Sequence, residues 1–550
     1  MNRKILILII ALFPGCLFAQ GFLEGGKVTG NFQLDAQYYN KDSLIGAPDV
    51  PEKMLLNGFA NILYTQGNFS AGVRYESYQN PMLGFDKRYK GSGFAYRFAS
   101  YTNDQFEITV GNFYEQFGSG LILRSYEERN LGLDNAFDGI RVRYNPFQGV
   151  TVKGLIGEQR YFWEKGPGIV RGADAEFQLN DLIGAMEDSK TRISLGASMV
   201  SKYQATEDII FGYIDTVGYK YVLPENVAAF AGRIGLNRGN FGLNVEYAHK
   251  SKDPNADNSF VYRDGQALLL TATYSQKGLG IYLSAKRIDN MAFKSKRTEK
   301  GNMLNINYLP ALTKQHTYSL AAIYPYATQP NGEMALQGEI VYTIPKGKLL
   351  GGKYGTEVKL NFSRANSIDK TNLNDTTGYE SSFFKPGDEL YFQDINVEIA
   401  KKFSKKLKAT CTYINLIYNQ SVIEGHPNEP DVKANIAIAD VTWKFTDKKA
   451  LRTEIQHLWT KEDDKNWVMG LLEYSIAPAW FFSVSDMYNY GNDVKDKQIH
   501  YMNIAAGYSR GTNRIQLSYG KQREGIICVG GVCRQVPASN GFSLSITSSF

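Results

Sequence analysis

The residues with the clearest potential for chemistry lie in one long segment, residues 112–143, which is dense in paired charges. The charged side chains that we single out are Glu115, Arg124, Glu127, Glu128, Arg129, Asp134 and Asp138. Gly118 and Gly120 allow sharp turns within the segment. If the segment dips into a pore, these side chains form a charged constriction, because rings of charge bias which ions and solutes pass. If it is a surface loop, they form solvated ion pairs of little energetic value.

Three cysteines follow the N-terminal region: Cys411, Cys528 and Cys533. Four residues, including two glycines, separate Cys528 from Cys533, and an exported protein can oxidise such a pair. We expect a structural loop disulfide; the alternatives are free thiols or a redox or metal role. The spacing is not the CxxC of redox motifs. Cys411 lies in an alternating strand, so we expect it to be a packing residue.

Residues 252–264 resemble a calcium loop through Asp253, Asn255, Asp257 and Asp264. The pattern departs from such loops at two positions, because Asn258 replaces the glycine and Asp264 replaces the bidentate glutamate. Asn and Asp are also common turn formers. We therefore expect a turn, and no metal or cofactor.

Catalysis and nucleic-acid binding both lack support in the sequence. The five histidines show no HExxH spacing, and the chain has neither a GxSxG elbow nor a phosphate-binding glycine loop. Without Arg3 and Lys4 the chain has 59 basic and 55 acidic residues, a net charge of only +4. A surface that binds nucleic acid is usually far more basic. We expect neither an enzyme nor a nucleic-acid partner.

The elements that must position these residues are strands. Apolar and polar residues alternate in many short runs, as in 106–110, 241–247 and 515–519. Tyr (36), Phe (31) and Gly (53) are abundant. Alternation with many aromatic residues, and no apolar run of about 20 residues, is typical of a transmembrane β-barrel. A secreted propeller would show a repeat of about 40–50 residues, which is absent; a sandwich adhesin would not need the terminal strand described below.

Both ends of the chain carry export features. Arg3 and Lys4 precede an apolar stretch, and Ala19 is a plausible cleavage residue, so residues 1–19 are predicted to be a signal peptide. Cys16 is then removed with the signal; lipidation is the alternative. At the other end Phe542, Leu544 and Ile546 alternate with polar residues, and the chain ends on Phe550.

The connections predict how many strands the barrel has. Short turns alternate with longer links almost throughout residues 27–550, and 160–170 and 365–388 are two of the longer links, which we expect at the external end. This alternation gives about 26 strands within a range of 22 to 26. The weakest of them lies around Asn302 to Tyr308. Only the short segment 20–26 precedes the barrel, so no N-terminal plug domain is expected. Four tryptophans near the proposed turns, Trp443, Trp459, Trp467 and Trp480, fit the aromatic belts at membrane interfaces.

The Phe-Ala-Gln junction at residues 18–20, the strand pattern and the terminal Phe550 strand resemble large Bacteroidota outer-membrane β-barrels of an uncharacterised family. The resemblance implies an all-β, closed, antiparallel transmembrane barrel in the outer membrane. Its partners would be membrane lipid and the barrel-assembly machinery, which would read Phe542, Leu544, Ile546 and Phe550 as a β-signal. It implies no functional residues.

Two functions are compatible with this architecture. The first is a channel or passive transporter for small solutes, narrowed by in-folded loops, with residues 112–143 as the prime candidate. The second is a non-conducting barrel scaffold that docks a surface lipoprotein or a secretion-complex partner.

Overall fold

The chain forms one closed sheet of 24 antiparallel strands. The computed structural model describes residues 25–207, 209–214, 217–374, 376–529 and 532–550. The barrel strands are Lys27–Tyr39, Met54–Gln66, Phe69–Asn80, Gly91–Thr102, Phe106–Phe113, Phe137–Tyr144, Val150–Tyr161, Glu164–Gln178, Thr191–Tyr203, Asn226–Arg238, Phe241–Lys250, Gly265–Gln276, Leu279–Asp289, Glu333–Ile344, Thr356–Asn374, Gly378–Lys402, Leu407–Tyr418, Val432–Lys444, Lys449–Trp459, Trp467–Ile476, Trp480–Tyr488, His500–Arg510, Asn513–Gln522 and Ser539–Ser549. The predicted signal peptide, residues 1–19, and most of the segment 20–26 lie outside the described residues.

The last strand closes the barrel by pairing with the first. Leu34 lies opposite Ile546, Ala36 opposite Leu544 and Tyr38 opposite Phe542. Closure leaves no sheet edge, which is the condition for a sheet to cross hydrocarbon, where unpaired backbone groups are costly. The predicted fold class is confirmed, and the strand number of 24 lies within the predicted range and two below the count of 26.

The outer face of the barrel is apolar. Successive side chains of a strand point to opposite faces, and one set is exposed on the outside while the other faces the lumen. The exposed outward set includes Phe32, Ile62, Val73, Ile140, Ile234, Leu283, Ile340, Leu360, Ile399, Ile455, Leu472, Ile504 and Leu517. Such a band is the surface that a transmembrane barrel presents to lipid.

Smaller elements lie in the connections. They are the α-helices Leu179–Leu182 and Gln420–Ile423, the 3-10 helices Lys87–Tyr89, Arg129–Leu131, Gly184–Met186, Ala256–Asn258 and Lys495–Lys497, and the short strands Glu127–Glu128, Leu133–Asp134, Ile210–Ile214, Val217–Lys220, Gly525–Val529 and Val532–Val536. No helix among the described residues is long and apolar enough to cross a membrane.

Tight turns cluster at one end of the barrel and long links at the other, as expected of outer-membrane barrels. We call these the periplasmic and external ends. Two predicted external links are wrong. The link at 160–170 is a two-residue turn between strands, and the link at 365–388 is an extended hairpin of strands with 19 and 25 residues. Alternation in both stretches was interrupted by Gly and Pro, which the sheet accommodates through register shifts.

The residues around Asn302 to Tyr308 form no barrel strand, contrary to the prediction. The wall passes directly from Leu279–Asp289 to Glu333–Ile344, and residues 290–332 fold into the lumen. Pro310, Pro325 and Pro330 lie within this stretch. Proline lacks the N–H that a ladder needs, so a central strand pair is disfavoured here.

Candidate functional site in the barrel lumen

The predicted in-folded loop is present as residues 114–136. Its apolar residues Phe117, Leu121, Ile122 and Leu123 are fully buried. They pack against small side chains on the inner wall, among them Val200, Ala229 and Ala248. Small wall residues leave room for a second layer of side chains, so this part of the lumen holds a packed core.

A second in-folded segment, residues 290–332, pairs with the first. The backbone N–H of Arg124 donates to Ile306 O over 2.8 Å, and that of Tyr308 donates to Gly120 O over 2.9 Å. The Asn307 amide donates to Leu121 O over 3.1 Å. Residues 114–136 and 290–332 therefore form one unit, which we call the lumen plug.

The distal part of the plug packs on an apolar stretch of the inner wall. Leu312, Leu320 and Tyr324 contact a buried set on neighbouring strands. That set includes Ile414, Leu416, Tyr418, Val432, Ala434, Ile436, Ile438, Leu458, Trp467 and Met469. Trp467 is thus a core residue of the lumen and not a belt residue, whereas Trp443, Trp459 and Trp480 are exposed.

Three wall lysines hold the backbone of the plug. Lys202 Nζ donates to Lys294 O over 2.8 Å, Lys286 Nζ donates to Pro310 O over 2.6 Å, and Lys250 Nζ donates to Ala292 O. All three are buried. Because carbonyl groups of an irregular segment need donors when they are removed from water, these lysines substitute for the ladder that the segment lacks.

Buried carboxylates balance these lysines. Lys286 Nζ lies 2.7 Å from Glu333 Oε1, and Asp253 lies 2.6 Å from Lys202 and 3.3 Å from Lys250. Burial opposes ionisation of Asp253, but the two lysines outweigh it and lower its pKa. Both oxygens of Asp253 thus face ammonium groups, and the Asn255 side chain caps the 3-10 helix Ala256–Asn258. The geometry is that of an ion-pair anchor and not of a calcium loop.

Two predicted constriction residues join a buried ion-pair network with the wall. Asp134 pairs with Arg160 over 2.7 Å and with Arg74. Glu127 lies 2.9 Å from Arg74, and Glu76 lies 2.6 Å from Arg160. The carboxylate oxygens of Glu76, Glu127 and Asp134 lie within 4.8 Å of one another. The guanidinium groups of Arg74, Arg160 and Arg129 already pair with these three carboxylates, so the cluster suits an ion-pair lock that fixes the plug.

The remaining predicted constriction residues have separate surroundings. Glu115 pairs with Lys153 over 3.4 Å, and the Arg124 guanidinium stacks on Tyr308. Glu128 caps the 3-10 helix that contains Arg129. The structure does not bring these residues into one ring.

Asp138 is a correction to the predicted constriction. It belongs to the barrel strand Phe137–Tyr144, where it shares a face with the exposed residue Ile140. It pairs with Arg97 and Lys165, whose side chains are largely exposed. The in-folded loop ends at residue 136, before Asp138. Strand alternation therefore places the Asp138 side chain on the outer face of the barrel and not in the lumen.

A polar cavity remains beside the plug, against the strands that close the barrel. We call the inner face of Asn513–Gln522, Ser539–Ser549, Lys27–Tyr39 and Met54–Gln66 the seam wall. Most of its residues at the cavity are polar, and all but one of these are uncharged: Gln33, Asp35, Gln37, Asn57, Gln516, Ser518, Gln522, Ser543 and Ser545. Ala36, Phe59 and Leu544 are its apolar residues there. The cavity has a volume of about 380 Å³.

Arg129 and Asn130 form the plug side of this seam cavity. The Arg129 guanidinium donates to Gln33 Oε1 over 3.2 Å, pairs with Glu127 over 2.8 Å and stacks on Phe59. Of the seven predicted constriction residues, Arg129 is the one that lines this cavity.

The external hairpin of Gly525–Val529 and Val532–Val536 lies over the plug. The structure joins Cys528 and Cys533 by a disulfide. Asn302 of the plug donates to Cys533 O over 2.7 Å, and Gln315 donates to Cys528 O over 2.8 Å. Ile527, Arg534 and Val536 line the external end of the seam cavity. Cys411, by contrast, is exposed.

Sequence reasoning missed the second plug segment and its lysines. Two features of the sequence could have indicated this segment. The first is three prolines within residues 290–332, and the second is apolar residues such as Ile414 and Leu416 at lumen-facing positions. The inner wall of a water-filled barrel is polar. An apolar patch on that wall therefore implies that another part of the chain covers it.

The closed sheet, the apolar exterior and the lumen filled by loops together define the class of this protein. It is a large barrel with the fold of outer-membrane proteins. More particularly, the chain belongs to the "Family of unknown function (DUF6029)", whose model matches residues 1–550.

Comparison with curated proteins gives no match. Among solved structures, the chain is similar to the siderophore receptor PirA from Pseudomonas aeruginosa, with 9% identity, TM-score 0.40 and coverage of 95% of this chain and 80% of that one. It is similar to a chain of the E. coli P pilus tip assembly intermediate PapC-PapD-PapK-PapG, with 10% identity, TM-score 0.48 and coverage of 95% of this chain and 60% of that one. It is also similar to the outer membrane protein opdK from P. aeruginosa, with 11% identity, TM-score 0.36 and coverage of 78% and 97%. At such identities and scores these likenesses do not bear on function.

Proposed function

We propose that this protein is an outer-membrane passive transporter for small polar solutes, whose lumen is narrowed by the plug and whose solute path follows the seam wall. The predicted signal peptide, residues 1–19, and the predicted β-signal that ends on Phe550 support this location. The proposal assigns the protein no catalytic step and no cofactor.

The distribution of polarity around the inner wall carries this proposal. The plug covers the apolar stretch around Ile414 and Ile436, and leaves the amide and hydroxyl stripe of the seam wall facing a cavity. Polar side chains that the plug does not cover remain accessible to water. A small polar solute can replace that water and form hydrogen bonds with the same side chains. A cavity of about 380 Å³ is at the lower end of the range for small-molecule sites, which suits a solute of a few heavy atoms.

Arg129 sets the width of the proposed path. Its side chain reaches from the plug to Gln33 on the seam wall, so truncation to alanine removes the bridge while Glu127 keeps its contact with Arg74. We expect purified protein in planar bilayers to show stepwise conductance, and Arg129→Ala to enlarge each step. Lys90→Ala, at an exposed position of an external loop, is the matched loss of charge and should leave the steps unchanged.

Deleting residues 118–132 should enlarge the conductance further, because the deletion removes most of the first plug segment, residues 114–136. No conductance before or after this deletion, in protein that remains a folded barrel by its heat-dependent gel mobility, would exclude the transporter.

A second candidate, the non-conducting scaffold for a surface lipoprotein or secretion-complex partner, is favoured by one feature. The hairpin of Thr356–Asn374 and Gly378–Lys402 is far longer than the 9–11 residues that a strand needs to cross the membrane. It carries Leu373 and Phe384 exposed beyond the barrel, with Val222 on a neighbouring loop. Exposed apolar side chains at such a site are typical of partner surfaces.

Native purification separates the two candidates. A stoichiometric partner that co-purifies in mild detergent, and is lost from Phe384→Asp but not from Lys90→Ala, would favour the scaffold. Conductance from the isolated chain would favour the transporter.

A further inference from the structure

We propose that the seam cavity binds a small oxyanion, a carboxylate or a phosphate, through the guanidinium group of Arg534. This inference rests on the proposed solute path and names the class of solute that the path accepts.

Arg534 is half-buried and, in the part of the chain that the structure describes, lacks the carboxylate partners that Arg74, Arg160 and Arg233 have. Its Nε and Nη1 atoms are buried and find no hydrogen-bond partner among the described residues. Within the same part of the chain it makes no ion pair, whereas Arg74, Arg160 and Arg233 each pair with at least two carboxylates. Burial lowers the pKa of Arg534, since a cation without a partner is costly to remove from water.

The position of Arg534 is fixed by its neighbours. Its guanidinium carbon lies 4.2 Å from the centre of the Phe85 ring, and its backbone belongs to the strand Val532–Val536 of the disulfide-linked hairpin. The attraction between a cation and an aromatic ring holds the guanidinium in place, while its Nε and Nη1 hydrogens stay available to a ligand. The side chain is therefore presented to the cavity and not left to solvent.

The rest of the lining suits an anion. Of the two guanidinium groups at the cavity, that of Arg129 is already paired with Glu127, whereas that of Arg534 has no ion pair among the described residues. Asp35 is already satisfied, because it accepts from Gln33 and from Ser545, each over 2.7 Å. Amide and hydroxyl donors complete the wall, and an oxyanion forms its strongest hydrogen bonds with charged donors.

Binding measurements on the intact barrel in detergent test the inference without relying on conductance. The probes are sodium acetate and inorganic phosphate, titrated calorimetrically against wild type and Arg534→Gln. We expect wild type to bind at least one probe and Arg534→Gln to bind it about tenfold more weakly, as the loss of charge-assisted hydrogen bonds implies. Arg534→Lys keeps the charge and should recover part of the affinity. Acetate alone would assign a carboxylate solute, and phosphate alone a phosphate.

Arg88→Gln is the matched control. Arg88 also stacks on an aromatic ring, Phe162, but it pairs with Asp86 over 2.7 Å, so its removal should not change binding of either probe. If wild type binds neither anion, or if both variants lose affinity equally, the inference is wrong. If the barrel binds an anion but does not conduct, the anion site is supported and the transporter proposal is wrong. If it conducts but binds neither anion, the transporter proposal is supported and the anion site is wrong.

Discussion

Replacing Lys286 by methionine should release the second half of the plug while the barrel stays closed. Lys286 donates to Pro310 O at 2.6 Å and to Thr328 Oγ1 at 2.9 Å, and it pairs with Glu333 at 2.7 Å. Methionine keeps most of the volume and removes all three contacts. Breaking a buried pair on one side costs about 3–5 kcal/mol, because the remaining charge is left without compensation.

Limited trypsin digestion in detergent measures this release. Lys294 and Arg297 of the plug are buried, so wild type should resist cleavage there. If plug docking is weakened by about 3 kcal/mol, the fraction of molecules with residues 290–332 undocked rises by roughly a hundredfold, and the cleavage rate rises with it. In the variant, cleavage should increase after Lys294 and Arg297, while the remaining barrel keeps its heat-dependent mobility.

Two variants make the reasoning refutable. Lys286→Met with Glu333→Gln leaves no uncompensated charge and retains an acceptor for Tyr326 and for the Gln329 N–H, so much of the protection should return. Lys465→Met breaks an exposed pair with Asp493, which is worth less than about 1 kcal/mol, and should change nothing. Unchanged protection in Lys286→Met, or no recovery in the double variant, would show that this lysine does not anchor the plug.

Three further outcomes are expected. Because the pKa of Asp253 is lowered, its contribution to plug docking is complete above the unfolded value of about 3.9 and is lost progressively as pH falls from there through the lower folded value. Pepsin should therefore cleave residues 290–308 faster at about pH 2 than at about pH 4, relative to an unfolded substrate at each pH; an equal relative rate would contradict the anchor. Cys528→Ser should weaken the hairpin over the plug by about 2 kcal/mol and increase conductance fluctuations without changing heat-dependent mobility; an unfolded barrel would contradict this. Phe550→Ala should lower the fraction of folded barrel in the outer membrane, since Phe550 covers Gly30 at the closing seam, and unchanged assembly would argue against a terminal signal.

The wall of the barrel was predictable because each strand carries its own signal. Alternation in runs such as 241–247 reports which face meets lipid, and it does so without knowledge of the neighbouring strand. The strand count failed at residues 290–332, where alternate residues are also apolar but pack inside the lumen. Alternation alone does not distinguish a wall from a plug; Pro310, Pro325 and Pro330 do.

The candidate site was less predictable, because it depends on contacts across the lumen. The charges of residues 112–143 indicated an in-folded loop, which is present, but not that Asp134 would meet Arg74 and Arg160 from two distant strands. The seam cavity has no local signature. Its polar wall joins the first and last strands of the chain, and its unpaired Arg534 lies in a hairpin that sequence reasoning treated as a disulfide loop.

Accessibility of single cysteines tests the central claim most directly, that solutes pass along the seam wall while the opposite wall is sealed. In a Cys411→Ala background with the disulfide intact, Ser518→Cys places a thiol on the seam wall and Ile436→Cys places one on the wall under the plug. A small charged methanethiosulfonate reagent should react with the first thiol and reduce conductance, and should leave the second unmodified. Reaction at Ile436→Cys, or none at Ser518→Cys, would contradict the account.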